Sequence, residues 1–161
     1  MNTNAKAKGL SPTAQRSIAF SAAVFIAALA SSPAAAEGPP VGTIAIRLAL
    51  RNSNGQVGCS LYGSEKGYPK DPTAALQTKW CAVAGSASVC RFDAVVAGTY
   101  AVACFHDENK NGKLDTGLFG IPSEGVAASN DAKGTMGPPS FKDAKFAFAG
   151  RDQDLVLKMR Y

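Results

Sequence analysis

The chain has 161 residues, with 17 lysines and arginines against 12 acidic residues, a formal net charge of +5. Three of the basic residues stand among the first 36 positions, so the other 125 residues carry 14 basic and 12 acidic side chains, a net charge of +2. This balanced part of the chain shows no cluster of lysine and arginine interleaved with aromatic residues, so its charge gives no reason to expect a nucleic-acid or membrane-surface partner. Its length suits one domain with its own core.

The first 36 residues have the composition of a secretory signal peptide. Lys6, Lys8 and Arg16 form a positively charged start. An apolar core follows at residues 18–30, and Ala34, Ala35 and Ala36 supply the small residues of a cleavage site. The apolar core is short for a helix that spans a bilayer, so an uncleaved membrane anchor is the weaker alternative. We expect a periplasmic or secreted protein, residues 37–161, with no transmembrane anchor after cleavage.

Alternation of apolar and polar residues predicts β-strands in most of the remaining chain. Turn residues such as Asn52–Gly55 and Gly85-Ser86 separate them. The predicted strands are residues 41–51, 56–62, 80–84, 87–92, 99–105, 145–149 and 154–161. Asp71–Leu76 carries the start signals of a short helix, and residues 117–139 show little periodicity. The sequence therefore predicts an all-β fold, a single antiparallel β-sandwich of about seven strands (immunoglobulin- or transthyretin-like) with a long irregular loop region.

Four cysteines lie outside the predicted signal peptide, and an even number in an exported protein favours two disulfides with three possible pairings. Cys81 and Cys90 face each other across the predicted hairpin turn, which favours a bridge between them. Cys59 then pairs with Cys104. Four free thiols are the alternative, and a zinc site is disfavoured because no CxxC occurs and His106 is the only histidine.

The strand at residues 99–105 runs into a polar segment that resembles the start of a calcium loop of the EF-hand type. Oxygen-bearing side chains occupy positions 1, 3, 5 and 9 of that loop, namely Asp107, Asn109, Asn111 and Asp115. Gly112 stands at position 6, where a sharp bend is needed, and Lys113 at position 7 would offer its backbone carbonyl. The alternative is a turn whose side chains bond only to their own backbone.

The match to the calcium loop is partial, because position 12 is Leu118 instead of a bidentate glutamate. We expect Glu124, brought back to the loop by the turn at Gly120-Ile121-Pro122, or a water molecule to replace that ligand. With two asparagines among the ligands, the predicted site carries little negative charge. We therefore expect one weakly bound calcium ion as the cofactor of this loop.

The run Gly98–Phe148 resembles a family of exported bacterial proteins known as domain of unknown function 2141. Four motifs carry the resemblance in order, at His106–Asp115, Gly120–Gly125, Ser129-Asn130 and Gly137–Phe146. The resemblance implies a periplasmic or secreted β-sandwich and brings no activity with it. The four cysteines are not part of that pattern.

Two functions are compatible with these residues. The first is a non-catalytic exported protein whose cation-stabilised loop shapes a surface for a protein, glycan or cell-envelope partner. The second is a small periplasmic hydrolase centred on His106 and the neighbouring carboxylates, with Ser129 as a conceivable nucleophile. The chain has no G-x-S-x-G motif and no second histidine, which favours the first function and a structural role for His106 at the end of its strand. The four phenylalanines that follow the predicted calcium loop are expected to anchor the core and the loops: Phe119, Phe141, Phe146 and Phe148.

Overall fold

The computed structural model describes residues 38–161, so the predicted signal peptide lies outside the described residues. This part of the chain confirms the all-β prediction. Its strands are β1 (Val41–Ala49), β2 (Gln56–Tyr62), β3 (Gln77–Ala84), β4 (Ala87–Val96), β5 (Gly98–Asp107), β6 (Gly125–Ala128), β7 (Phe146–Phe148) and β8 (Gln153–Lys158). Helical structure is limited to one turn, α1 (Phe141–Ala144), and three 3-10 turns at Pro72–Ala74, Leu118–Gly120 and Ser129–Asp131. None of these described helices is long and apolar enough to cross a membrane.

All eight strands belong to one mixed sheet in the order β6-β5-β2-β3-β4-β1-β8, with β7 paired to the start of β5. β3 pairs with β2 through Gln77–Ala82 and then with β4 through its last two residues. The two ends of the sheet meet where Val126 of β6 exchanges two backbone hydrogen bonds with Arg160, of 2.7 and 2.9 Å. The sheet is therefore nearly closed into a barrel.

The pairing of β8 corrects the prediction of a wholly antiparallel sandwich. β8 runs parallel to β1, with Ile44 opposite Gln153 and Ala49 opposite Lys158. The alternation of Leu155 and Leu157 shows which face of β8 is buried, but it carries no information about the neighbouring strand or its direction. With one continuous sheet and a parallel pair, the fold is not clearly an immunoglobulin-like sandwich.

A second correction concerns residues 117–139, which the sequence predicts to be irregular. They contain β6, which pairs with β5 from Ala103 opposite Ala128 to His106 opposite Gly125. Glycine and alanine have low strand propensity, so the sequence gives no strand signal here. Gly125 has to be small because it packs against the C-terminal residue: a Cβ at Gly125 would lie 2.5 Å from the Tyr161 ring.

The interior of the sheet is one apolar cluster that includes both disulfides. Its buried side chains come from seven strands and include Ile44, Ile46, Leu48, Val57, Leu61, Phe92, Val102, Ala127, Phe148 and Leu157. Cys59 of β2 is bonded to Cys104 of β5, its direct register partner, and Cys81 is bonded to Cys90 across the β3–β4 hairpin. This is the pairing that the hairpin spacing favours. Two disulfides are typical of proteins outside the reducing cytoplasm.

Candidate functional site

The polar loop predicted to bind calcium, Asp107–Asp115, begins at the last residue of β5, beside the β1–β2 turn. Gly55 of that turn has a φ of 74° and packs so closely on the loop that a Cβ there would overlap the Asp107 backbone oxygen. The turn and the loop are thus held together at one end of the sheet. Within the loop itself, Lys110 and Gly112 have positive φ values of 60° and 76°, and both residues are exposed.

Asp107 is buried, and its carboxylate forms the inner wall of the loop. One oxygen accepts the backbone N–H of Asn111 at 3.0 Å, and the other accepts those of Gly112 at 2.9 Å and the Gln56 side chain at 2.8 Å. Burial alone would raise the pKa of Asp107, but the hydrogen bonds from Gln56 and the loop backbone outweigh burial, so that pKa lies below its usual value. The carboxylate is therefore charged near neutral pH.

The other side-chain ligands predicted for calcium meet one another. The amide nitrogens of Asn109 and Asn111 donate to the carboxylate of Asp115 at 2.7 and 3.0 Å. The amide oxygens accept backbone N–H groups within the loop, that of Asn111 from Lys113 at 2.8 Å. The structure thus brings Asp107, Asn109, Asn111 and Asp115 into one loop as the sequence predicts.

Glu124 also reaches this loop, although it lies nine residues beyond Asp115. It is buried, and its two oxygens accept the backbone N–H groups of Glu108 at 2.9 Å and Asp115 at 3.0 Å. One carboxylate thus ties the start of the loop to its end. Within residues 38–161, however, no three His, Cys, Asp or Glu side chains form a group that could hold a metal ion. Calcium at this loop stays a prediction.

His106 is fully buried, and both of its ring nitrogens are engaged. Nε2 lies 2.7 Å from the backbone oxygen of Asn54, which can only accept, so Nε2 carries the proton in this contact. Nδ1 lies 2.8 Å from the hydroxyl of Tyr161, which also accepts the backbone N–H of Arg51 at 3.0 Å. A neutral imidazole satisfies both contacts. A histidine without solvent access and with both nitrogens occupied is poorly placed to act as a general base.

Glu108 completes the polar residues that end β5. Its side chain lies 2.7 Å from the Arg51 guanidinium and accepts the Asn52 amide at 2.9 Å. Burial would raise the pKa of Glu108, but these two partners outweigh burial and lower it. Ser129, the conceivable nucleophile, is buried elsewhere, where its hydroxyl accepts from Val102 N–H and donates to the Ala144 carbonyl at 2.6 Å. No catalytic arrangement joins Ser129 to His106 among these contacts.

A feature that the sequence analysis missed lies directly after the loop. Residues Thr116–Pro122, which we call the apolar hairpin, are closed by a β-bridge between their ends and by a hydrogen bond of 2.8 Å from Gly117 N–H to the Ile121 carbonyl. Its tip exposes large apolar side chains. Phe119, expected to anchor the core or a loop, is 98% exposed instead. Phe148 is buried, and Phe141 and Phe146 are half-buried, in line with the expectation.

The fold and the loop define a small all-β protein with two disulfides and a polar, internally bonded loop at one end of its sheet. A family model described as "uncharacterized protein conserved in bacteria (DUF2141)" matches residues 44–155. The chain belongs to this family, as the four sequence motifs indicate. No curated protein and no solved structure matches the chain.

Proposed function

We propose that the protein works outside the cytoplasm as a non-catalytic binding protein, and that the loop Asp107–Asp115 binds one calcium ion that fixes a surface for a cell-envelope partner. The disulfides support the location, since such bonds persist in oxidising compartments. The engaged and buried His106 favours binding over hydrolysis.

The observation that carries the calcium proposal is the meeting of three side chains, Asn109, Asn111 and Asp115, within hydrogen-bond distance. Rotating either amide by half a turn about its last side-chain bond would bring its oxygen towards the Asp115 carboxylate. Only a cation makes that arrangement favourable, because it would otherwise place oxygen against oxygen. Two amide oxygens and two nearby carboxylates are hard ligands of the kind that calcium prefers.

The charges of the loop also favour a cation. Asp107, Asp115 and Glu124 face the loop interior or its backbone N–H groups, whereas the side chains of Lys110 and Lys113 are exposed. Asparagine ligands and the loss of a glutamate at position 12 limit the affinity. We expect a dissociation constant in the range of weak extracellular sites, about 10⁻⁴–10⁻³ M.

Calorimetric titration with calcium tests this proposal, with magnesium as the competing ion. At a calcium concentration ten times the dissociation constant, linkage gives about 1.4 kcal/mol of stabilisation, which is about 3–5 °C in melting temperature. Asp115→Asn is expected to weaken binding by on the order of tenfold, because it removes one formal charge from the site. Asp93→Asn, on the exposed part of β4, is the matched control and should titrate like the parent.

A melting temperature that is the same in chelator and in millimolar calcium would reduce the loop to a turn held by its own side chains. Equal titration curves for Asp115→Asn and the parent would place any bound calcium elsewhere on the protein.

A further inference from the structure

We propose that the apolar hairpin inserts its tip into the interfacial layer of an anionic phospholipid bilayer. This inference identifies the cell-envelope partner of the proposed function as a lipid surface. It rests on the proposed function for the location of the protein outside the cytoplasm, but it does not require bound calcium.

The tip of the apolar hairpin exposes more apolar surface than a water-soluble turn needs. Leu118 is 83% exposed, Phe119 98% and Ile121 64%, and all three lie within four consecutive residues. Single exposed apolar residues are ordinary on protein surfaces, but adjacent ones at a protruding turn mark a site of interaction. None of these side chains belongs to the core cluster, so they add little to the stability of the fold.

The hairpin holds these side chains in a fixed arrangement. Phe119 has a φ of 61°, in the left-handed region that large side chains rarely occupy. A 3-10 turn and the Gly117–Ile121 hydrogen bond close the tip, and Ser123 N–H donates to the Asp115 carbonyl at 3.0 Å at its base. Backbone strain of this kind persists where the surrounding structure enforces it, and it is frequent at functional sites. The strain here serves to turn Phe119 outward.

The shape of the hairpin tip favours a lipid layer as its partner. A convex turn with large apolar side chains can enter a lipid interface without a matching cavity, and Phe and Leu are residues that interfacial segments place at that depth. An inward-facing groove, by contrast, would suit a peptide or a small molecule.

The charges beside the hairpin are complementary to anionic headgroups. Lys110 and Lys113 lie in the loop that leads into the hairpin, and both side chains are exposed. Neither forms an ion pair within residues 38–161. Of the four carboxylates of the same segment, Asp107 and Glu124 are turned inward onto backbone N–H groups. Glu108 is paired with Arg51, and the half-buried Asp115 accepts the side-chain amides of Asn109 and Asn111. The outer side of the loop therefore presents positive charge next to the apolar tip, the combination that binds anionic bilayers.

Sedimentation with vesicles tests the proposal directly. The protein is purified in the form that accumulates in the cell, with the same N-terminus in every variant, and mixed with vesicles of phosphatidylcholine alone or with one quarter phosphatidylglycerol. We expect binding to the anionic vesicles that weakens as salt is raised. Leu118→Ser combined with Phe119→Ser should lower the partition coefficient by on the order of tenfold or more, since two large apolar side chains no longer enter the lipid. Val156→Ser, at an exposed valine of β8, is the matched control and should bind like the parent.

Charge reversal tests the electrostatic part. Lys110→Glu and Lys113→Glu should each weaken binding to anionic vesicles by about fivefold or more, because each basic group near such a surface contributes about that factor. Lys142→Glu, on the exposed side of α1, is the control and should change binding little.

Fluorescence locates the tip. Trp80 is the only tryptophan, so a Trp80→Phe background with Phe119→Trp reports on the hairpin alone. Its emission should shift to shorter wavelength on anionic vesicles, while Val156→Trp in the same background should not shift. All variants are melted first, and the serine variants in the parent background serve where the Trp80 background does not fold.

Each assay is run in chelator and in millimolar calcium. Binding in chelator is expected, and it supports the inference even if calcium does not shift the melting temperature and the calcium proposal fails. No binding to anionic vesicles at low salt in either condition would overturn the inference, even if calcium does bind. Binding that is unchanged by the Leu118→Ser and Phe119→Ser pair would also overturn it and leave a protein pocket as the partner of the tip.

Discussion

Asp107 offers the sharpest test of how the loop is held, because both of its carboxylate oxygens accept hydrogen bonds. Replacement by asparagine keeps the shape of the side chain but turns one acceptor into a donor. The amide nitrogen would face the N–H of Gly112 or that of Asn111, which are donors themselves. Gln56 can adapt, since rotating its own amide offers an oxygen instead of a nitrogen.

The expected magnitudes follow from these contacts. Asp107→Ala removes three hydrogen bonds to a charged acceptor, and we expect the free energy of unfolding to fall by about 2–4 kcal/mol, since water can reach part of the loop. Asp107→Asn keeps one acceptor and the adaptable Gln56 contact, so a loss of about 1–2 kcal/mol is expected. Asp93→Asn, on the exposed face of β4, should stay within about 0.5 kcal/mol of the parent.

The pH dependence distinguishes this explanation from a simple loss of packing. The pKa of Asp107 is lowered in the folded protein, so its ionised form stabilises the fold at pH values above its usual pKa of 3.8. That contribution is lost as the pH falls through the folded-state pKa. The difference between the parent and Asp107→Asn should therefore be largest near neutral pH and shrink as the pH falls well below 3.8.

Urea unfolding in chelator at neutral and acidic pH measures these differences directly. A loss of stability for Asp107→Asn that is the same at both pH values would refute the hydrogen-bonded carboxylate as its cause. Equal stabilities of the parent and Asp107→Ala at neutral pH would show that the carboxylate contributes nothing to the fold.

Three further changes test other parts of the same end of the molecule. Glu124→Gln turns one of the two acceptors for loop N–H groups into a donor, and urea unfolding should show that the free energy of unfolding falls by about 1–2 kcal/mol. An unchanged free energy of unfolding would mean that the loop closes without the Glu124 carboxylate. Tyr161→Phe removes the hydroxyl that donates to His106, and the free energy of unfolding in the same assay should fall by about 1–2 kcal/mol. No change would show that this contact is not made. Replacing Cys81 and Cys90 by serine should cost about 2–3 kcal/mol by the chain-entropy estimate, and peptide mapping that finds both thiols free in the parent would contradict this.

Local sequence patterns predicted most of the strands because their physics is local. Gln56–Tyr62 begins and ends where its alternation does, and the glycine-led turn places Cys81 opposite Cys90. The parallel pairing of β8 could not be predicted in this way, since alternation shows only which face is buried. β6 was missed because Gly125–Ala128 has small side chains, whose fit under the C-terminal segment exists only after folding.

The candidate site, like the fold, could be predicted from the sequence only in part. The calcium-loop spacing brought Asp107, Asn109, Asn111 and Asp115 together, and the short turn returned Glu124 to them. The exposure of Phe119 could not be predicted from the sequence, because aromatic residues next to other apolar ones are more often buried. The left-handed backbone at Phe119, with a φ of 61°, accompanies a side chain that is 98% exposed, and the sequence pattern does not indicate that backbone.

The motifs that relate the chain to its family now have structural roles, and this changes where function should be sought. His106 joins the end of β5 to the β1–β2 turn and to Tyr161, while Glu124 closes the polar loop. Ser129 joins β5 to the end of α1 through Val102 and the Ala144 carbonyl.

These polar residues satisfy one another or the backbone, as buried polar groups must, and such bonds are sufficient reason for their presence. The residues of the same motifs that form no such internal contact lie at the surface, and they include apolar side chains as well as Lys110 and Lys113. Ile121, from the Gly120–Gly125 motif, is the clearest example, and it lies beside the fully exposed Phe119. A search for activity that starts from His106 therefore begins with a structural residue, whereas a search for a partner should begin at the apolar hairpin.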